Sequence, residues 1–496
     1  MPEDINMTEL THFPMLIDGQ FCAGDTGQVM QTINPATGAA WATFDCAAAA
    51  DVERAVGAAA RVLDDPAWRD MTQTARGKLL YRLADLIEDN AEVLGRIETT
   101  DSGKLAAETV SQTRYVADYY RYYAGLADKI EGAVLPIDKP DMLVFTTRHP
   151  IGVVVAIVPW NAQMFLTATK LGPALAAGCS VVLKASEIAP APMLEFARLI
   201  HEAGFPPGVV SVITGDAENC AIPLTRHPRV DRIAFTGGPE TARHVVRNSA
   251  ENFAVTTLEL GGKSPILVFE DADLDAAANG LIAGNFGASG QSCVAGSRGL
   301  VQRSIYEALA ARIEEKTHDL IVGDPQDSAT HLGPLCTVAQ VERIEATLAK
   351  ATAQGATIRF GGTGLGGHYF APTLVECPSP DIETLKVEMF GPIMSLVPFD
   401  SEDEAIAMAN DSEFGLGSGV FTRDLARAHR VSGRIKSGIT WVNTYRAVSP
   451  IAPFGGFSQS GYGREAGQEA ILDYTRSKTT WINTSDAPMG NPFVMR

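Results

Sequence analysis

The sequence has no hydrophobic run long enough to span a bilayer. In 496 residues the longest candidate, Ile151 to Val158, is strand-sized and stops at Pro159, whereas a helix needs about 20 apolar residues to cross. No membrane role is expected. Positive charge is scarce as well: 40 Lys and Arg stand against 59 Asp and Glu, a formal charge of -19. With no Lys/Arg run to form a local patch, a nucleic-acid partner is not expected. The seven cysteines are Cys22, Cys46, Cys179, Cys220, Cys293, Cys336 and Cys377. Scattered, odd in number and without a C-x-x-C pair, they argue against a disulfide framework and against a metal site. The first ten residues, MPEDINMTEL, are acidic where a secretory leader is basic and apolar, so a cytoplasmic location is expected. Absent too is a G-x-G-x-x-G opening a helix after a strand, the usual dinucleotide fingerprint.

What is present is an ordinary globular composition, 46% hydrophobic and 20% charged, at a length that suggests several domains. From Ile151 onward, β-branched runs alternate with stretches of helical composition. Strands are predicted at 151–158, 180–184, 209–213 and 232–235, with helices at 164–177, 191–203, 217–226 and 239–249. This spacing indicates right-handed crossovers and a buried parallel sheet, which binds ligands at the carboxyl ends of its strands. A second alternation starts near Ser264: strands at 266–269, 299–302 and 396–399, helices at 274–286, 304–317, 338–354 and 402–410. Upstream, helices are predicted at 48–62 and 74–100, followed by the aromatic-rich 114–127. Two strand-like pieces, 143–147 and 479–482, fall outside both units and suit pairing with each other or with a second subunit.

Four segments stand out: Pro159-Trp160-Asn161, Phe235-Thr236-Gly237-Gly238, Leu258-Glu259-Leu260-Gly261-Gly262-Lys263 and Gly290-Gln291-Ser292-Cys293. Each is weak alone. In this order and at these spacings they resemble the aldehyde dehydrogenase superfamily, over a span running from Leu16-Ile17-Asp18-Gly19 to Ser460-Gly461-x-Gly463-Arg464-Glu465. The resemblance implies an α/β fold of two doubly wound domains with a small β oligomerisation arm. Residues 1–129 and 151–262 would bind NAD(P), 263–473 would be catalytic, and 130–150 with 474–496 would form the arm. A homodimer or homotetramer is expected.

The resemblance also implies roles. Cys293 would attack a small-molecule aldehyde and hold the acyl group as a thioester. Asn161 and the Cys293 backbone N–H would stabilise the oxyanion. Glu259 would be the general base for hydrolysis, and Lys170 would help relay protons. Relatives that pass the acyl group to coenzyme A typically lack this glutamate, so Glu259 favours water over a coenzyme A-acylating reaction. A catalytically silent structural homologue is a further alternative, opposed by the joint presence of Asn161, Glu259, Cys293 and Glu388. Val158, Pro159, Trp160, Phe235, Gly237 and Gly238 would line the cofactor's path. Lys184 and Glu187 would hold the adenosine ribose, and Glu388 with Phe390 the nicotinamide ribose. A carboxylate at Glu187 disfavours a 2′-phosphate, so NAD is expected, with NADP possible. Two departures occur, Ala185 where proline is usual and Gly238 with Ala242 after the phosphate loop.

Ala162, Thr169, Gly287, Ser292, Val294 and Phe454 are implied as walls of the substrate pocket. The small residues Ala162, Thr169 and Gly287 predict a roomy tunnel for a branched or cyclic aldehyde. Arg446 admits two readings, a guanidinium that binds the distal carboxylate of a semialdehyde or a surface arginine paired with an acid.

Overall fold

The computed structural model describes residues 10–494. An eight-stranded sheet forms its first layer. Its five central strands are parallel, in the spatial order Val255–Glu259, Arg232–Thr236, Val153–Ile157, Ser180–Ala185, Val210–Thr214. Nearly every side chain in them is buried, so they read in the sequence as continuous β-branched runs rather than alternations. The chain leaves Val153–Ile157 toward one edge of the sheet and later returns to pair Arg232–Thr236 on its other side. These two neighbours therefore form a topological switch point, where a crevice opens beyond the carboxyl ends.

The helix that follows Ile157, Gln163–Ala177, is buried at all fifteen positions. It is packed between the sheet and the outer helices Gln73–Asp89 and Ala106–Leu126. The single helix expected over 74–100 is in fact two, Gln73–Asp89 and Ala91–Ser102. Asn90 sits at the break, and its side-chain amide donates to the Leu86 carbonyl at 2.8 Å, a local bond that competes with helix continuation. Sequence reasoning also missed the hairpin Met15–Ile17 with Gln20–Cys22, which extends the first sheet at one edge. Three-residue strands show no period, although the left-handed pair Asp18 (φ 54°) and Gly19 (φ 73°) is a hairpin signal.

A second sheet of seven strands is built around Pro265–Val268, Arg298–Gln302 and Ile393–Phe399 and is parallel except for the edge strand Thr357–Phe360. One strand crosses the expected boundary: Gly461–Tyr462 leaves the second unit to pair antiparallel with Val255–Glu259 at the edge of the first sheet. The two outlying pieces pair with each other in register from Met142–Asn483 to Pro150–Thr475. The ribbon leaves Leu143, Trp481 and Ile482 exposed.

Candidate active site

The site forms where the chain passes from one sheet to the other. Val255–Glu259 ends the first, Pro265–Val268 begins the second, and the link between them has room only for backbone. A Cβ on Gly261 would lie 2.2 Å from Glu388 Oε2, and one on Gly262 would lie 2.7 Å from the Cys293 carbonyl oxygen. The glycine pair thus lets Glu388 and the Cys293 loop close on the segment that carries Glu259. The link is fastened by Gly262 N–H donating to Glu388 Oε1 (3.0 Å) and by Ser460 Oγ donating to the Gly261 carbonyl (2.7 Å).

Cys293 lies in the turn between the helix Leu274–Phe286 and the strand Arg298–Gln302. Three left-handed residues shape it, Ala288 (φ 53°), Ser289 (φ 51°) and Gly290 (φ 74°). Non-glycine residues persist in that region only where the surroundings over-determine them. Here Gln291 does so: its side-chain Oε1 accepts Cys336 N–H at 2.8 Å, and its carbonyl accepts Asn161 Nδ2 at 3.0 Å. Asn161 follows the strand Val153–Ile157 and so projects from the carboxyl edge toward Cys293. One of its two amide hydrogens is used on Gln291; the other is free for an oxyanion. The Cys293 N–H takes no acceptor among the described residues. The thiol, half-buried, is pushed up to about 12, chiefly by burial and then by Glu388 and Glu259, while Arg446 pulls it down.

Glu259 is 2% exposed and neither carboxylate oxygen has a hydrogen-bond partner. Burial first, and the charge of Glu465 second, raise its pKa well above the usual carboxylate range; Lys170 and Arg464 oppose the rise. A buried lysine needs an acid, and Lys170 has one: its Nζ meets Glu465 Oε1 at 2.5 Å and Thr236 Oγ1 at 2.6 Å. Glu465 is the functional candidate that reading the sequence overlooked. The available signal was the position of Lys170 on a helix of apolar residues, where an uncompensated cation is untenable.

Several of the residues expected to hold the dinucleotide gather at the carboxyl ends of the strands beside the switch point. Lys184, at the end of its strand, pairs with Glu187 Oε2 at 2.6 Å. Gly238 precedes the helix Pro239–Ser249, and a Cβ there would meet nothing within 4 Å, so the helix N-terminus is open to an anion. Trp160 and Phe390 meet edge-to-face with centroids 5.5 Å apart, beside Glu388. Pro159 is half-buried next to them, and Val158, fully buried, donates to the Lys184 carbonyl (3.2 Å). Phe235 departs from expectation. It is a core side chain whose ring lies under Gly237, 2.5 Å from where a Cβ would stand, so it supports the turn rather than facing the crevice.

The expected pocket residues divide. Ala162 opens the helix Gln163–Ala177 and is half-buried. Ser292 flanks the nucleophile, and Val294 and Phe454 pack in one apolar cluster with Cys293. Thr169 is not a free wall: its hydroxyl donates to Glu465 Oε2 at 2.6 Å and helps hold the acid. Gly287 does not simply widen the tunnel either, because a Cβ there would stand 2.2 Å from Arg446 Nη1. The space belongs to the guanidinium. Arg446 itself is half-buried and donates to the Ala283 carbonyl at 3.2 Å. Among the described residues it forms no ion pair.

Comparison with known proteins shows the family. The profile of the Aldehyde dehydrogenase family matches residues 21–480. The chain is 54% identical over 490 residues, 98% of its length and 100% of the relative's, to (Z)-2-((N-methylformamido)methylene)-5-hydroxybutyrolactone dehydrogenase of Acinetobacter baylyi. It is 40% identical to betaine aldehyde dehydrogenase of Rhizobium leguminosarum, over 95% of this chain and 97% of that one. A crystal structure of Staphylococcus aureus betaine aldehyde dehydrogenase in complex with NAD+ superposes with a TM-score of 0.95 at 35% identity, covering 99% of this chain and 98% of that one. With the profile spanning nearly its whole length, the chain belongs to the aldehyde dehydrogenase family.

Proposed function

We propose that the protein oxidises an aldehyde to a carboxylic acid with NAD+ and releases the acid by hydrolysis. The observation that carries this reading is Glu259: a buried carboxylate, both oxygens unpartnered, whose charge reaches the Cys293 thiol. In the first step the Cys293 sulfur bonds to the aldehyde carbon, the thiol proton passes to water, and the carbonyl π pair becomes an oxyanion. Asn161 Nδ2 and the Cys293 N–H receive that charge in fixed positions, so no reorganisation is needed as it develops. Lys184, Glu187, Gly237, Gly238, Trp160, Glu388 and Phe390 would hold the dinucleotide, whose nicotinamide supplies the hydride acceptor. Glu187, already paired to Lys184, presents a carboxylate that suits a 2′-hydroxyl and repels a 2′-phosphate.

The acyl group is then a thioester on Cys293. Glu259 takes a proton from water, the water oxygen bonds to the acyl carbon, and the C–S bond breaks with its pair returning to sulfur. A base with a raised pKa is matched to this task near neutral pH. Lys170 and Glu465 lie behind it as a buried charge pair that sets its field and offers a route for the proton.

The 54%-identical relative is named for a substituted 5-hydroxybutyrolactone, which is the ring tautomer of a 4-oxo acid. That name, with the small side chain at Ala162, supports a branched or ring-closing aldehyde as the substrate. The exposed Leu143, Trp481 and Ile482 on the two-stranded ribbon support a homo-oligomer formed through that arm. Absorbance at 340 nm with NAD+, NADP+ and a panel of aldehydes, with and without coenzyme A, tests the proposal. Turnover with NAD+ alone is expected; a strict requirement for coenzyme A, or inactivity throughout the panel, would overturn it.

A further inference from the structure

Arg446 has a position that its own fold works to maintain and a guanidinium that the fold leaves mostly unused. Its backbone is left-handed (φ 64°), a strained state for a long side chain. The strain is held by the preceding residue. Tyr445 is packed against Gly284, Gly296 and Gly419, where any Cβ would stand 2.9–3.2 Å from its ring, and its hydroxyl donates to the Val294 carbonyl at 3.0 Å. Val294 directly follows the nucleophile, so Tyr445 bolts the Arg446 loop to the Cys293 loop. The guanidinium then lies over Gly287, in space that any side chain at 287 would fill. Of its five N–H donors, one is spent on the Ala283 carbonyl.

Glu108, the acid beside Gly287, is engaged with the backbone. Glu108 Oε1 accepts Ala288 N–H at 3.0 Å and lies 3.9 Å from the point a Gly287 Cβ would occupy, while Oε2 is buried without a partner. The positive charge of Arg446 is also felt at the Cys293 thiol, and Tyr445 ties the two loops together through the Val294 carbonyl.

We infer that Arg446 is the specificity-determining residue of this pocket and binds the distal carboxylate of an oxo acid whose aldehyde is presented to Cys293. The inference rests on the proposed aldehyde oxidation and adds the substrate's charge to it. A planar fork binds a carboxylate through two parallel N–H···O bonds, which a point charge does not reproduce. For 4-oxo acids the clamp has a second effect. Such acids close to 5-hydroxylactones, which have neither a free aldehyde nor a carboxylate. In opening, the ring hydroxyl loses its proton, the C–O bond to the acyl oxygen breaks, and the pair leaves as carboxylate. Arg446 binds only the open form and so favours the tautomer that Cys293 can attack.

The test compares 4-oxobutanoate with butanal, which has the same chain length and no charge, on the wild type, Arg446→Ala and Arg446→Lys. In Arg446→Ala the ratio of kcat/KM values, oxo acid over butanal, should fall roughly 30-fold or more, with Arg446→Lys in between. A ratio unchanged within about twofold overturns the inference. Should the wild type oxidise neither compound, the proposed activity fails and the clamp is read without turnover. Succinate, compared with butyramide, should then slow alkylation of Cys293 by iodoacetamide in the wild type and not in Arg446→Ala. Equal protection in both would overturn the inference independently of the activity.

Discussion

Replacing Glu259 by Gln separates the two halves of the reaction. The substitution keeps the side chain's shape and removes only the ability to take a proton, in a pocket where neither oxygen is bonded to the protein. Formation of the thioester depends on Cys293 and Asn161, which do not touch Glu259 through any hydrogen bond. Hydrolysis depends on a base. A positioned general base is worth about 10²–10⁴ in rate, or roughly 3–5 kcal/mol of activation free energy. Mixed rapidly with NAD+ and aldehyde, Glu259→Gln should therefore give a burst of absorbance at 340 nm equal to about one NADH per site, followed by steady-state turnover slowed by that factor. Intact mass should show the acylated protein. The wild-type kcat should rise with pH through a pKa well above the usual carboxylate range, because burial and Glu465 raise Glu259, and the variant should lose this limb. The same shift has a sign for stability. The folded state binds this proton more tightly than the unfolded chain, so its contribution falls as pH climbs from the unfolded to the folded pKa and stays low above it. Glu259→Gln should accordingly raise the Tm at pH 8 and leave it nearly unchanged at pH 4. Loss of the burst together with turnover, or turnover within about threefold of wild type, would refute the assignment of Glu259 as base.

Other substitutions probe the cofactor crevice and the link between the sheets. Glu187→Ser removes the carboxylate and releases Lys184, so the NADP+ to NAD+ ratio of kcat/KM should rise about tenfold or more; an unchanged ratio would place the adenosine ribose elsewhere. Gly238→Ala adds a methyl group to open space, so it should raise the KM for NAD+ with no change in Tm. Gly262→Ala instead drives a Cβ to 2.7 Å from the Cys293 carbonyl. Because backbone must shift, Tm and kcat should both fall, at a cost of about 1–3 kcal/mol in stability.

Much of both α/β units was legible because their central strands are buried and their helices begin and end on strong signals. Ala191–Ala203, Pro239–Ser249, Leu274–Phe286 and Glu402–Asn410 have the expected bounds. Gly204 at the end of the first is left-handed, and Asp273 and Ser401 cap the N-termini of the last two. What escaped was set by long-range contacts. The break at Asn90, the three-residue N-terminal strands and the return of Gly461–Tyr462 to the first sheet carry little local pattern. The same holds in the site. Cys293 and Glu259 are read from their glycine-rich neighbours and Asn161 from Pro159-Trp160 before it, but Glu465 lies 295 residues from Lys170 and enters only through folding. Gly287 was read correctly as small and wrongly as empty space, since what fills it comes from residue 446.

The resting state of the nucleophile follows from these same contacts and can be measured without substrate. Burial, Glu388 and Glu259 push the Cys293 thiol up to about 12, so at pH 8 the neutral thiol is the dominant form. Alkylation by iodoacetamide, followed at the Cys293 peptide by mass spectrometry, should be slow and should rise about tenfold per pH unit to pH 10 or beyond. Mapping by peptide matters because Cys22 is the other cysteine not fully buried. Removing a negative neighbour with Glu388→Gln should speed the reaction at fixed pH, and removing the positive one with Arg446→Ala should slow it. A plateau by pH 9, the behaviour of an ordinary thiol, would contradict this electrostatic account. A neutral resting thiol also resists oxidation, which begins from the thiolate. It further requires that the proton leave as the bond to the aldehyde carbon forms, so Asn161 and Arg446 must make the adduct's charges more favourable than a free thiolate in the same pocket.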